Sequence, residues 1–232
     1  MPIITGKDHC ASCPMRPLSI FSNLDLDILK TVDFQPTVMT YEAGERIYAE
    51  AESGKFAYTL RVGLVKLSKG LRNGRSQIIR LNKQGDIFGL DSFAHVPYNH
   101  DATALTDVEV CKLPVETLHD LRRGNKAIDA ALLERWIQNL RTSEDMMLEL
   151  GAKKAPEKLA TFLIRWCEGK TDNDWQDLPL SRAEIGEVLG LTLETVSRFL
   201  SDWKRRGLIT EKNQKVRILD ASALQAISCP DS

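Results

Sequence analysis

The chain has 232 residues, 43% hydrophobic and 27% charged, and a formal net charge of −1 at pH 7. That length suits two domains with a core each, and the composition is that of an ordinary soluble protein without low-complexity tracts or internal repeats. No stretch is long and apolar enough for a membrane-spanning helix. Met1-Pro-Ile-Ile-Thr-Gly-Lys-Asp lacks the apolar run of a signal peptide. Five Cys in unpaired spacing point to a reducing cytoplasm rather than a disulfide scaffold.

Residues 1–23 form the first segment, marked by His9-Cys10-Ala-Ser-Cys13-Pro14. Thiolates at that spacing can hold an iron–sulfur cluster or zinc, and can equally be two idle thiols. Residues 24–123 are rich in predicted strands: 45–48, 56–62, 64–68, 76–81, 86–88, 102–105 and 108–113. Turns fall at Gly44, Gly63, Gly74 and Gly85. Many short strands at such spacing imply a sandwich or rolled barrel.

Residues 124–154 read as a long helix. Ile128, Leu132, Trp136, Leu140 and Met147 belong to an apolar stripe wide enough to cover the strands and also meet a partner helix. Ala155-Pro156 breaks the run and opens the last domain, 155–232. Its first helix is Glu157–Cys167, followed by a loop at 172–175.

The most specific signal lies in Ser181–Arg198. Ser181 can cap a helix, with Glu184 completing a capping box. Ile185, Val188 and Leu189 then share one face. Gly190 stops that helix, and Thr192 caps the next. Val196, Phe199, Leu200 and Trp203 recur at helical spacing and face inward, which turns Glu194, Ser197 and Arg198 outward. Arg198 can pair bidentately with guanine, Glu194 can accept from cytosine N4, and Ser197 can touch a thymine methyl or a phosphate. The alternative is an ordinary i,i+4 ion pair between Glu194 and Arg198. Lys204, Arg205 and Arg206 close the helix. Leu208–Asp220 then reads as a hairpin wing turning at Lys212–Lys215. From Lys153 to Arg217 there are thirteen Lys/Arg against ten Asp/Glu, a net of +3, so the positive excess sits where DNA would lie.

Leu189-Gly-Leu-Thr-Leu-Glu-Thr-Val-Ser-Arg198 resembles the recognition motif of the CRP/FNR transcription regulators, and the Glu-x-x-Ser-Arg pattern is that of the FNR branch. The likeness extends over nearly the whole chain from Cys10. It implies an α+β architecture: a β-roll of the cyclic-nucleotide-binding type, a long dimerisation helix and a C-terminal winged helix-turn-helix. It implies a homodimer on double-stranded DNA, reading a TTGAT-type inverted repeat and contacting RNA polymerase, without membrane attachment or enzymatic activity. Ser181, Arg182 and Thr192 join Glu194, Ser197 and Arg198 as expected DNA-facing residues.

Gly85-Asp-Ile-Phe-Gly89 matches the family's phosphate cassette, but no Arg follows between Arg80 and Arg122, and Asp86, Asp91 and Asp101 would repel a phosphodiester. Cyclic AMP is therefore not expected. The FNR-branch cluster pattern is matched at Cys10, Cys13 and Cys111, with Cys111-Lys-Leu-Pro114 close to its surroundings, while Ser19 replaces a Cys. The resemblance implies a [4Fe-4S] cluster with an unassigned fourth ligand among Ser19, Asp8, His9 or an acid of the roll. It further implies that the intact cluster favours the dimer and that oxygen or nitric oxide releases the DNA. The alternatives are a heme on His95, His100 or His119, a thiol-redox or constitutive regulator, and a thiol oxidoreductase, for which Cys10 has no thioredoxin-like context.

Overall fold

The computed structural model describes residues 3–7, 13–22, 36–168 and 174–229. The chain divides into two compact units, Met1–Arg141 and Thr142–Ser232. The division falls inside the long helix rather than at its ends.

The first unit is built on two antiparallel sheets. One has the order β1 (Ile3–Lys7), β2 (Thr37–Tyr41), β9 (Val108–Pro114), β4 (Phe56–Val62) and β7 (Ile87–Phe88); the other runs β3 (Arg46–Tyr48), β8 (Asp101–Ala104), β5 (Val65–Gly70), β6 (Ser76–Asn82). The turn glycines 44, 63, 74 and 85 all have positive φ.

Strand alternation sorts side chains into two cores. Val108 and Val110 of β9 face the roll interior with Met39, Leu60, Val65 and an aromatic group of Tyr48, Tyr58, Phe88 and Tyr98. Cys111 and Leu113 face the opposite side, where Val38, Ile20 and Phe21 meet Leu118 and Leu121 of α1 (Val115–Gly124).

The long helix, α2, spans Lys126–Ala152. Ile128 and Leu132 are fully buried in the second of those cores. Both were expected on the dimer seam, and their side chains here close against the roll. Trp136, Leu140 and Met147 remain 43%, 58% and 65% exposed.

In the second unit, α3 (Ala155–Cys167) begins with Pro156 in its first turn, where the missing N–H costs nothing. It packs against α6 (Ala221–Ser228). Between them lie β10 (Gln176–Asp177), α4 (Arg182–Leu189), α5 (Leu193–Arg205), β11 (Ile209–Lys212) and β12 (Lys215–Ile218). The three strands form one antiparallel sheet in the order β10-β12-β11. Leu159, Leu163, Ile185, Val196, Leu200, Trp203 and Val216 form the interior.

Candidate nucleic-acid interface

The reading frame is α4, a tight turn and α5. The Ser181 hydroxyl accepts from the Glu184 N–H (3.2 Å), and the Glu184 carboxylate accepts from the Ser181 N–H (2.9 Å). The expected capping box is therefore formed. Gly190 closes α4 in the left-handed region (φ +63°), a conformation that a Cβ would strain.

Gly186, unremarked in the sequence, is as constrained. A Cβ there would stand 2.5 Å from the Leu191 carbonyl oxygen. The Leu191 N–H in turn donates to the Gly186 carbonyl at 2.9 Å. The available signal was a glycine inside a helix, which costs about 1 kcal/mol unless backbone must approach closely.

The Thr192 hydroxyl caps α5 by accepting from the Thr195 N–H at 3.3 Å. Val196, Leu200 and Trp203 are buried beneath it, Phe199 is half-buried, and Glu194 and Arg198 are exposed with Ser197 between them. Hydrogen bonds from its own N–H and from Thr192 hold the Glu194 carboxyl below the usual carboxylate range, so it stays an acceptor. The Arg198 guanidinium lies 5.3 Å from the centre of the Phe199 ring. Among the described residues no ion pair joins it to Glu194.

Three of the residues expected at the DNA are also engaged within the fold. Arg182 donates bidentately to the Glu211 carboxylate of β11 (2.6 and 2.7 Å), which ties α4 to the wing. Ser181 and Thr192 have their hydroxyls engaged as caps. The wing turns on Asn213 and Gln214, both with positive φ (50° and 56°), a two-residue loop whose hand matches strand twist.

At the other end of the chain, Cys13, Ser19 and Cys111 line one cavity with Met15, Arg16, Phe21, Thr59 and Leu113. Strand register sets Val38 and Thr59 on either side of Cys111. Cys13 and Cys111 thus both line that cavity, beside a buried Thr59 hydroxyl with no hydrogen-bond partner, and offer two thiols as donors. Ser19 does not fit as its fourth ligand: its hydroxyl donates to the Arg16 carbonyl (2.9 Å) and accepts from the Phe21 N–H (3.2 Å). Asp8, His9 and Cys10 lie outside the described residues. Among the described residues no group of three or more His, Cys, Asp or Glu converges on one point. Arg135 of α2 donates to the Leu18 carbonyl at 2.8 Å, tying this segment to the helix.

A second cavity in the roll is lined by Leu67, Arg80, Asp91, His100, Trp136 and Asn139 among others. His100 shares a 2.8 Å hydrogen bond with the Tyr48 hydroxyl, and burial holds its imidazole below the ordinary pKa. His95 and His119 stack on each other with ring centres 5.2 Å apart.

Two family models match the chain: a cyclic nucleotide-binding domain over residues 38–125 and a Crp-like helix-turn-helix domain over 157–227. The transcriptional activator protein FnrL of Cereibacter sphaeroides is 30% identical over 236 residues, covering 97% of this chain and 93% of that protein. The nitrogen fixation regulation protein FixK of Bradyrhizobium diazoefficiens is 29% identical over 223 residues, 94% and 93% of the two chains. Among solved structures, FixK2 from Bradyrhizobium japonicum superposes with a TM-score of 0.77 at 31% identity, covering 85% of this chain and 99% of that one.

Proposed function

The chain belongs to the CRP/FNR family of DNA-binding transcription regulators, and from that premise we propose that two copies read an inverted repeat of TTGAT-type half-sites under redox control. The observation that carries the reading is the capped frame that turns Glu194, Ser197 and Arg198 outward over a buried Val196–Leu200–Trp203 stripe. In a helix-turn-helix the second helix lies in the major groove, and the residues near its N-terminus reach base edges. Arg198 reads guanine, Glu194 accepts from cytosine and Ser197 meets a thymine methyl or a phosphate.

The dimer seam is the exposed stripe of α2 around Trp136, Leu140 and Met147, continued by Leu133, Ile137 and Leu148. Six large apolar side chains exposed on one helix support a partner helix there. Two-fold pairing then sets two recognition helices about one DNA turn apart, as inverted half-sites require.

Sensing falls to the sulfur-bearing segment. Cys10, Cys13 and Cys111 would hold an oxygen-labile [4Fe-4S] cluster, a group whose iron–thiolate bonds respond to oxidants. The segment's own contacts reach the helix: Ile20 and Phe21 share a core with Ile128 and Leu132, and the Leu18 carbonyl accepts from Arg135. Displacing residues 13–22 would therefore uncover the part of α2 next to the exposed stripe. The roll cavity is read as closed to cyclic nucleotides, because the acidic Asp91 is among its lining residues and the cassette supplies no arginine after Arg80.

The test is binding to a TTGAT palindrome by protein purified without oxygen, with its visible spectrum, iron and acid-labile sulfide measured in parallel. About four irons per chain, bleaching in air, and loss of anaerobic DNA binding in Cys10→Ala and Cys111→Ala are the expected results. Full binding by either variant in air would overturn the cluster and leave the DNA reading standing.

A further inference from the structure

Glu211 has no part in the readout just described, yet three elements of the DNA-binding unit meet on it. Arg182, the first residue of α4, donates two N–H bonds to its carboxylate at 2.6 and 2.7 Å. Lys204, near the end of α5, has its ammonium 3.7 Å away. Glu211 itself stands in the middle of wing strand β11, opposite the fully buried Val216. Its side chain is only 13% exposed.

The geometry has an electrostatic cost that needs a reason. A carboxylate in a surface built to meet phosphates subtracts from DNA affinity, and it cancels the charge of Arg182, whose helix crosses the DNA backbone in this motif. A bidentate guanidinium–carboxylate pair adds directional rigidity that a point charge lacks. We propose that Glu211 is a positioning residue: through Arg182 and Lys204 it fixes the wing against both helices, so that Glu194, Ser197 and Arg198 enter the groove in register. Arg182 then acts in DNA recognition through Glu211, with no phosphate contact of its own.

The proposal rests on the half-site reading and is separable from it. The full-length chain is titrated onto a TTGAT palindrome and onto a scrambled duplex of equal length, at several salt concentrations. Glu211→Gln is nearly isosteric, removes a negative charge and breaks the bidentate pair. On charge alone it would bind DNA more tightly. Positioning predicts the opposite sign: about tenfold weaker binding to the palindrome, the scrambled duplex unchanged or tighter, and an unaltered salt slope.

The charge-swapped double variant Arg182→Glu/Glu211→Arg rebuilds the pair in reverse and should return palindrome affinity to within about threefold of the original. Unchanged or tighter palindrome binding by Glu211→Gln overturns the proposal. So does a folded double variant that stays weak while Arg182→Ala alone lowers the salt slope by about 0.9, the mark of one lost phosphate contact. A parent chain indifferent to the palindrome refutes the half-site instead. The same variants are then scored on the palindrome that the parent selects from a random duplex pool.

Discussion

The roll and the helix-turn-helix treat their polar side chains in opposite ways. In the roll interior, Tyr48 and Tyr98 stack with centres 3.8 Å apart, and the Tyr48 hydroxyl is bonded to His100. Burial pushes the phenol of Tyr41, in the same core, up to about 12. The Tyr48 phenol and the His100 imidazole answer each other inside the fold. On α5 the order is reversed: Val196, Leu200 and Trp203 go inward and Glu194 and Arg198 are left without protein ion-pair partners among the described residues. A site that must exchange its partners keeps its charged groups outside, while an interior needs them satisfied within.

That contrast can be broken most strongly from inside the reading unit. Trp203→Ala removes a fully buried ring beneath the recognition helix and should cost about 3–5 kcal/mol, seen as early melting of residues 142–232 in hydrogen exchange. Next comes α2, where neighbouring turns play different parts. Leu132→Ala should cost about 2–5 kcal/mol by denaturant titration, because its side chain is closed in the roll core. Leu140→Glu should leave protomer stability within about 0.5 kcal/mol and convert dimer to monomer in sedimentation. An equal stability loss from both would remove the distinction between core and seam.

Arg198→Ala sharpens the contrast from outside. It should weaken the TTGAT palindrome by about 1–3 kcal/mol, relax the preference at one base position and leave the melting temperature unchanged. The smallest effect belongs to His100. Its folded pKa lies below the ordinary 6.5, so the unfolded chain takes up the proton first as pH falls. Its contribution is full above pH 6.5 and is lost as pH drops below that value. The parent should lose about a few degrees of melting temperature more than His100→Gln on going from about pH 7.5 to 5.5.

Most of the DNA-binding unit was legible because its signals are local. A cap, a box partner and a glycine each act within four residues, and Ser181, Glu184, Gly190 and Thr192 stand as read. The strands between glycines in the roll were legible for the same reason. Strand β2 was missed because Val38 faces one core and its neighbour Met39 the other, so burial on both faces erased the alternation. Helix α1 went unread because it follows β9 directly, with Pro114, the last residue of that strand, at its N-cap and no side-chain cap.

Long-range pairings were invisible in principle. The Arg182–Glu211 clamp joins residues 29 apart, and Arg135 reaches Leu18 across 117 positions. Nothing in the periodicity of α2 separates Leu132 from Leu140; only the placement of the roll does. That Cys13 and Cys111 line one cavity, and that the hydroxyl of Ser19 is taken up by its own turn, no local pattern announces.

The most direct measurement is an equilibrium titration of the full-length chain onto a TTGAT palindrome, a scrambled duplex and a single half-site, with the parent and Arg198→Ala side by side. The expected result is two chains per palindrome, at least a thousandfold preference over the scrambled duplex, and selective loss of that preference in the variant. Equal affinity for all three duplexes, or an Arg198→Ala variant that discriminates as the parent does, would contradict the assignment of α5 as the reading helix.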